Sequence, residues 1–187
     1  FLTGDLFNLF VFFEVLLLAS YGLMLHGGGR LRVRAGLHYV VLNLCGSALF
    51  LIAVGTLYGL FGTLNMADLA RRMAAVTPEN LGPARAASLL LFVVFALKAA
   101  LVPLYLWLPA AYAQTSAPVA ALFAIMTKVG AYSILRVSTL LFGAQAGVGV
   151  DQLFVKAVGV LEMGLGFHGE FQGEVHRAKV STMACTN

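Results

Sequence analysis

Three ionisable side chains stand where an apolar sequence can least tolerate them. Glu14 lies in the stretch from Leu6 to Leu25, Lys98 in the stretch from Ala86 to Tyr112, and Lys128 in the stretch from Ala117 to Phe142, each close to the midpoint of its segment. A charged residue at the centre of a membrane-spanning helix costs on the order of 2.5–3.5 kcal/mol on insertion scales, so a helix that keeps one has a use for it. Chance scatter would favour the segment ends, where a lysine extends its ammonium to the interface. A carboxylate and an ammonium within about 4–6 Å stabilise each other's charged forms. Drawn apart in hydrocarbon, the ammonium loses that support and is driven to give up its proton. The pair is then a proton gate that depends on distance. Lys128 is the next acceptor, reached through water or Thr127. The chemistry these residues support is proton transfer at mid-membrane. A static ion pair with a second lysine used in packing is the plainer alternative.

Smaller features surround these three. Pro103 follows Lys98 and removes a backbone donor, which frees carbonyls within a turn of the amine and marks a helix break. Asn43 and Ser47, four residues apart, place a polar patch on one turn of an otherwise apolar segment, where an unpaired amide would be costly. His38 is expected at the interface, and Asp5 as an acid favoured by the start of its helix. Other chemistries find no support. The histidines are scattered, the Gly27–Gly29 run lacks the lysine of a phosphate loop, and Cys45 and Cys185 form no metal-ligating pattern. His168, Glu170, Glu174 and His176 are taken as a solvated tail. No cofactor and no metal are expected, and the chain is not expected to be an enzyme.

The elements that must hold these groups follow from composition. Of 187 residues, 60% are hydrophobic and only 11% charged, against roughly 25% charged in soluble domains. That predicts a membrane protein. The net charge of +4 comes with no basic stripe interleaved with aromatics, so nucleic acid is not an expected partner and the lipid bilayer is. The fold class expected is an all-α, polytopic transmembrane bundle with four strong spans, a weak fifth and one Pro-broken helix. The first span ends at His26 and the glycine run. The arginines at 30, 32 and 34 are assigned to a loop up to Gly36, on the cytoplasmic side by the positive-inside rule. A second span follows over Leu37–Gly62, with Gly55 and Gly59 as a close-packing pair. Thr63–Arg85 is expected to be an external connection at the membrane surface, with Asn65 capping a short amphipathic turn and TPENLGP acting as a breaker. Tyr105, Trp107 and Tyr112 suit an interfacial belt. Residues 1–150 form one transmembrane domain, and 151–187 a weak helix and polar tail. Without a leader before the first apolar segment, the chain looks like an internal piece of a longer protein.

Three stretches carry a family resemblance. TGDLFNLFVFFEVLLLASYGL, LNLCGSALFLIAVGTLYGLFGTLNMADLA and ALKAALVPLYLWLPAAYAQTSAPVAALFAIMTKVGAYSILR resemble the D subunit of the multisubunit (Mrp-type) Na+/H+ antiporter, itself similar to the antiporter-like membrane subunits of respiratory complex I. The likeness runs from Phe1 to about Phe142, and GDLFNLFVFFE with GTLNMADLA favours the Mrp subunit. It implies a multi-pass protein of the bacterial inner membrane that exchanges protons for a monovalent cation, with Na+ expected, alongside other membrane subunits. It places the family's gating glutamate on Glu14, its broken-helix lysine on Lys98 and its relay lysine on Lys128. The alternatives are a proton-pumping membrane subunit of a respiratory NADH dehydrogenase and a truncated, non-transporting scaffold. After about Val150 the family's long apolar helices are not matched.

Overall fold

The computed structural model describes residues 3–101 and 104–141. Within them the chain is helical: α1 Leu6–Leu25, α2 Arg30–Phe61, α3 Met66–Ala74, α4 Pro78–Lys98, a 3₁₀ turn Leu104–Leu106, α5 Trp107–Gln114 and α6 Ala117–Leu141. Four of these helices, α1, α2, α4 and α6, are long and apolar enough to cross a membrane. The bundle is apolar outside and partly polar inside. Leu18, Leu44, Ile52 and Ile125 face outward, while Asn43, Ser47 and Lys98 are buried. Pro103, the weak fifth segment and the polar tail lie outside the described residues.

The longest element organises the rest. With 32 residues, α2 is about 48 Å long at roughly 1.5 Å per residue, well beyond the ~30 Å hydrocarbon core of a bilayer. The arginines assigned to a loop are therefore the first turns of a helix that outlasts the membrane. Arginine is a good helix former, and Gly36, taken as part of a break, serves close packing instead. A Cβ there would lie 2.6 Å from Leu25 Cδ2. The true turn is Gly27–Gly29, all three at positive φ (93°, 65° and 101°), a conformation glycine adopts without steric penalty. Arg32 closes this end, donating from Nε to the Gln114 carbonyl at 2.8 Å and from Nη1 to the His26 carbonyl.

The opposite end is tied by caps. Asp5 Oδ1 accepts from the backbone N–H of Phe7 (2.8 Å) and of Asn8 (3.0 Å), and Asn65 Oδ1 accepts from Ala67 and Asp68. The two caps pair through backbone, Leu6 N–H to the Leu64 carbonyl and Met66 N–H to the Gly4 carbonyl. Helix α3 does more than lie on a surface: Met66, Leu69 and Met73 are buried in the core, and Arg72 Nη1 donates to the Phe61 carbonyl at the end of α2. TPENLGP begins α4 rather than breaking the chain. Pro78 occupies the first turn, where a missing N–H costs nothing.

Two apolar clusters fill the bundle at different levels. One gathers Leu6, Phe13, Phe50, Leu57, Leu69 and Phe95. The other gathers Leu17, Met24, Tyr39, Trp107, Phe123 and Met126. Helices α4 and α5 both pack against α2. The expected third span, Ala86 to Tyr112, is thus interrupted: α4 ends at Lys98 and helix resumes at Leu104.

Candidate functional site

The site lies where those two clusters meet. On α2, the i, i+4 spacing puts Tyr39, Asn43 and Ser47 on one buried face. Asn43 Nδ2 donates to the Tyr39 carbonyl at 3.0 Å, and the Ser47 hydroxyl contacts the Asn43 carbonyl at 3.0 Å. Glu14 stands at the margin of the buried face of α1, and its Oε1 accepts from Ser47 Oγ. Lys98 arrives at the end of α4. Its Nζ lies 3.8 Å from Glu14 Oε1, donates to Ser47 Oγ at 3.4 Å, and sits 5.4 Å from the centre of the Phe13 ring. The lysine side chain is 3% exposed and the glutamate side chain 26%, so the ammonium is enclosed while the carboxylate reaches the edge of the described bundle. Glu14, Ser47 and Lys98 therefore form one polar layer between two apolar ones.

The helix break positions the amine. Ala100 N–H donates to the Leu97 carbonyl (3.1 Å) and Leu101 N–H to the Ala96 carbonyl (2.9 Å). This is a Schellman ending, whose left-handed residue is usually glycine. Here it is Ala100, at φ 54°. Trp107 Nε1 also donates to the Leu97 carbonyl at 3.1 Å, bracing α5 against the end of α4. Trp107 is 2% exposed, so it belongs to the break and not to an interfacial belt. The indole N–H goes where the end of a helix leaves a carbonyl with acceptor capacity.

Two glycines missed as site residues fix how closely the neighbours approach. A Cβ on Gly130 of α6 would lie 2.6 Å from Ala99 N, 2.8 Å from Ala99 Cα and 2.9 Å from Lys98 C. A Cβ on Gly46 would lie 2.8 Å from Leu97 Cδ2. The break is thus held between bare backbone on α6 and on α2. By contrast, Gly55 and Gly59, expected to mediate packing, have nothing within 4 Å of their Cβ positions among the described residues. Glycine spacing alone does not say which glycine meets a neighbour.

Lys128 shares the depth of this layer but not its face. On α6, Phe123 and Met126 belong to one cluster and Ala131 and Ile134 to the other, so the residues between them lie at the level of Lys98. Thr127 is buried and its hydroxyl bonds the Ala124 carbonyl at 3.0 Å. Lys128 is exposed, turned away from Glu14 and Lys98 within the described residues. The structure brings Glu14, Ser47, Asn43 and Lys98 together and leaves Lys128 on an exposed part of α6. Among the described residues, no group of His, Cys, Asp or Glu could hold a metal ion.

A multi-pass helical membrane protein with an acid and an amine paired at a helix break is the class this geometry defines. The chain belongs to the NADH:quinone oxidoreductase/Mrp antiporter transmembrane family, whose model matches residues 3–167. That match runs past Phe142, where the motif likeness stopped, and takes in most of the weak fifth segment. The chain is 54% identical over 168 residues to the D subunit of a probable K(+)/H(+) antiporter of Rhizobium meliloti, covering 89% of this chain and 31% of that protein. It is 49% identical over 148 residues to the D subunit of the Na(+)/H(+) antiporter of Alkalihalophilus pseudofirmus, covering 79% and 30%. Among solved structures it resembles a chain of the Mrp complex from Dietzia, with TM-score 0.67 and 40% identity over 75% of this chain and 26% of that one. It also resembles a chain of the membrane-bound sulfane sulfur reductase, an archaeal respiratory membrane complex, with TM-score 0.70 and 30% identity over 87% and 31%. The chain spans about three tenths of the length of the curated relatives it matches.

Proposed function

We propose that this chain is the gate-bearing part of a proton-translocating subunit in a multisubunit monovalent cation/proton antiporter of the bacterial inner (plasma) membrane. One observation carries the proposal: Lys98 is buried at a helix break, 3.8 Å from Glu14 and bridged to it by Ser47. With the pair closed, carboxylate and ammonium offset each other's charge and Ser47 fills a hydrogen-bonding position on both. A shift of the break that separates them leaves an ammonium without its counter-charge in an apolar bundle, and loss of the proton from Nζ removes that cost. Lys128, at the same depth on an exposed part of α6, receives the proton and passes it towards the rest of the subunit. Asn43 and Thr127 support the layer. The exchanged cation is Na+ or K+, the two named for the relatives, with Na+ the expected one. Other membrane subunits complete the complex.

The test uses the full-length subunit in its assembled complex, in everted membrane vesicles, with proton movement followed by a pH-sensitive dye after addition of each cation. Glu14→Ala and Lys98→Ala are expected to abolish cation-driven proton movement while the complex still assembles. Wild-type exchange in either variant refutes the gate. The likeness to a respiratory membrane complex supports a second reading, a proton-pumping subunit of an electron-transfer enzyme. Co-purification with flavin and iron–sulfur subunits would establish that reading instead.

A further inference from the structure

A second buried polar pair lies off the gate. Ser20 on α1 and Tyr39 on α2 are both 0% exposed, and their hydroxyls are 2.7 Å apart, with either able to donate. Tyr39 belongs to the apolar cluster of Leu17, Met24, Trp107 and Phe123, and Ser20 lies on α1 between Leu17 and Met24. The Tyr39 ring is packed by Tyr21, Trp107 and Phe123, at 5.1–5.4 Å between centroids. The Ser20 hydroxyl also reaches the Leu17 carbonyl at 2.7 Å. From this pair, Asn43 and Ser47 continue along the same face of α2 to Glu14 and Lys98. Successive steps of four residues rise about 6 Å, the span a water bridges with two hydrogen bonds. The line runs from the mid-membrane layer towards the end of α2 that carries Arg30, Arg32 and Arg34.

We propose that the Ser20–Tyr39 hydroxyl pair, with Asn43 and Ser47, is a proton-access branch joining the Glu14–Lys98 gate to the arginine-bearing end of the bundle. A hydroxyl is both donor and acceptor and can rotate its proton. A proton taken from a water on one side forms an O–H bond at the first hydroxyl, that oxygen's own proton passes to the second, and the second gives its proton to a water on the other side, so each oxygen gains one O–H bond and loses one and no net charge stays in the apolar cluster. Packing alone would be served equally well by phenylalanine at position 39, because the ring fills the space and the hydroxyl adds a polar group that Ser20 must satisfy. The branch rests on the gate proposed above.

Tyr39→Phe keeps the ring and removes one hydroxyl, and Ser20 keeps its Leu17 carbonyl, so no group is left unpaired. In vesicles containing the full-length complex, Tyr39→Phe and Ser20→Ala are each expected to slow Na+- or K+-driven proton movement roughly tenfold, a modest share of what a positioned proton-transfer group contributes. Half-saturating cation concentration and assembly stay as in the wild type. The ratio of rates in H2O and D2O rises, because proton delivery becomes limiting; a purely structural role would not move it. Should Tyr39→Phe fail to assemble, Ser20→Ala decides. Exchange within twofold of wild type in an assembled variant, beside an inactive Lys98→Ala, overturns the branch and leaves the gate standing. Exchange that survives Lys98→Ala overturns both.

Discussion

Adding one methyl group at Gly130 tests whether the helix break is held in place by contact with bare backbone. Gly130→Ala puts a Cβ 2.6 Å from Ala99 N and 2.8 Å from Ala99 Cα, where comfortable separations are about 3.5–4.0 Å. Roughly 1 Å of retreat is needed. Backbone cannot rotate away as a side chain would, and behind the break Leu97 fills the space where a Cβ on Gly46 would lie, 2.8 Å from Leu97 Cδ2. Either α6 swings out or the end of α4 is driven sideways. The Lys98 Nζ to Ser47 Oγ contact is already 3.4 Å, so a displacement of that size breaks it. Overpacking of this kind costs about 1–3 kcal/mol, and misplacing a reacting group by about 1 Å can cost up to ~100-fold in rate. The assays are thermal stability of the assembled complex in detergent and cation-driven proton movement in everted vesicles. Both fall in Gly130→Ala, exchange further than stability. Gly82→Ala is the control: its Cβ meets nothing within 4 Å, and the alanine should gain up to about 1 kcal/mol of helix propensity. If Gly130→Ala matches wild type in both assays, the close contact at the break has no bearing on the site.

Two further changes probe the same break from other sides. Ala100→Gly places the usual residue at a left-handed position; it should raise thermal stability by about 1 kcal/mol in detergent unfolding, and slow exchange by favouring the broken conformation over any other. Trp107→Phe keeps an aromatic ring against Tyr39 but removes the bond to the Leu97 carbonyl; about 1 kcal/mol of stability should be lost, with exchange reduced although no group of the gate is altered.

Much of the fold was legible because membranes impose a simple rule on composition. The limits of α1, the start of α6 and the Asp5 and Asn65 caps all follow from where apolar runs begin, end and are interrupted. What was not legible depends on what faces what. Gly36 and Gly55 look alike in sequence, yet one lets α1 approach α2 and the other meets open space among the described residues. The same blindness hid Gly130, although its place two residues after a central lysine was a usable signal. Pro78 and Pro83 signalled an interruption, but Pro78 lies in the first turn of α4, where proline is tolerated, and Pro83 is carried inside the helix. Trp107 was assigned by residue type to the interface. Its actual partner, the Leu97 carbonyl, exists only because α4 ends where it does. Sequence puts Lys128 on an apolar span, while its side of α6 depends on a helical phase set by packing at Gly130 and Phe123.

The magnitudes at the gate bear on why an acid and an amine, rather than an amine alone, occupy this layer. Burying Lys98 at membrane depth costs about 2.5–3.5 kcal/mol on insertion scales. At the observed 3.8 Å separation from Glu14, Coulomb attraction at an effective dielectric constant near 20 returns about 4 kcal/mol. The attraction is of the same order as the lysine's cost alone, and the cost of the carboxylate is eased by its partial exposure and its hydrogen bond from Ser47. A much stronger attraction would lock the ammonium in place, and a much weaker one would leave its burial cost uncovered. Doubling the separation, a displacement of about 4 Å, halves the attraction to about 2 kcal/mol, which no longer covers the lysine's burial cost. Helix α4 ends at Lys98, and the close approach of Gly130 to Ala99 sets how far Lys98 stands from α6 when the pair is closed.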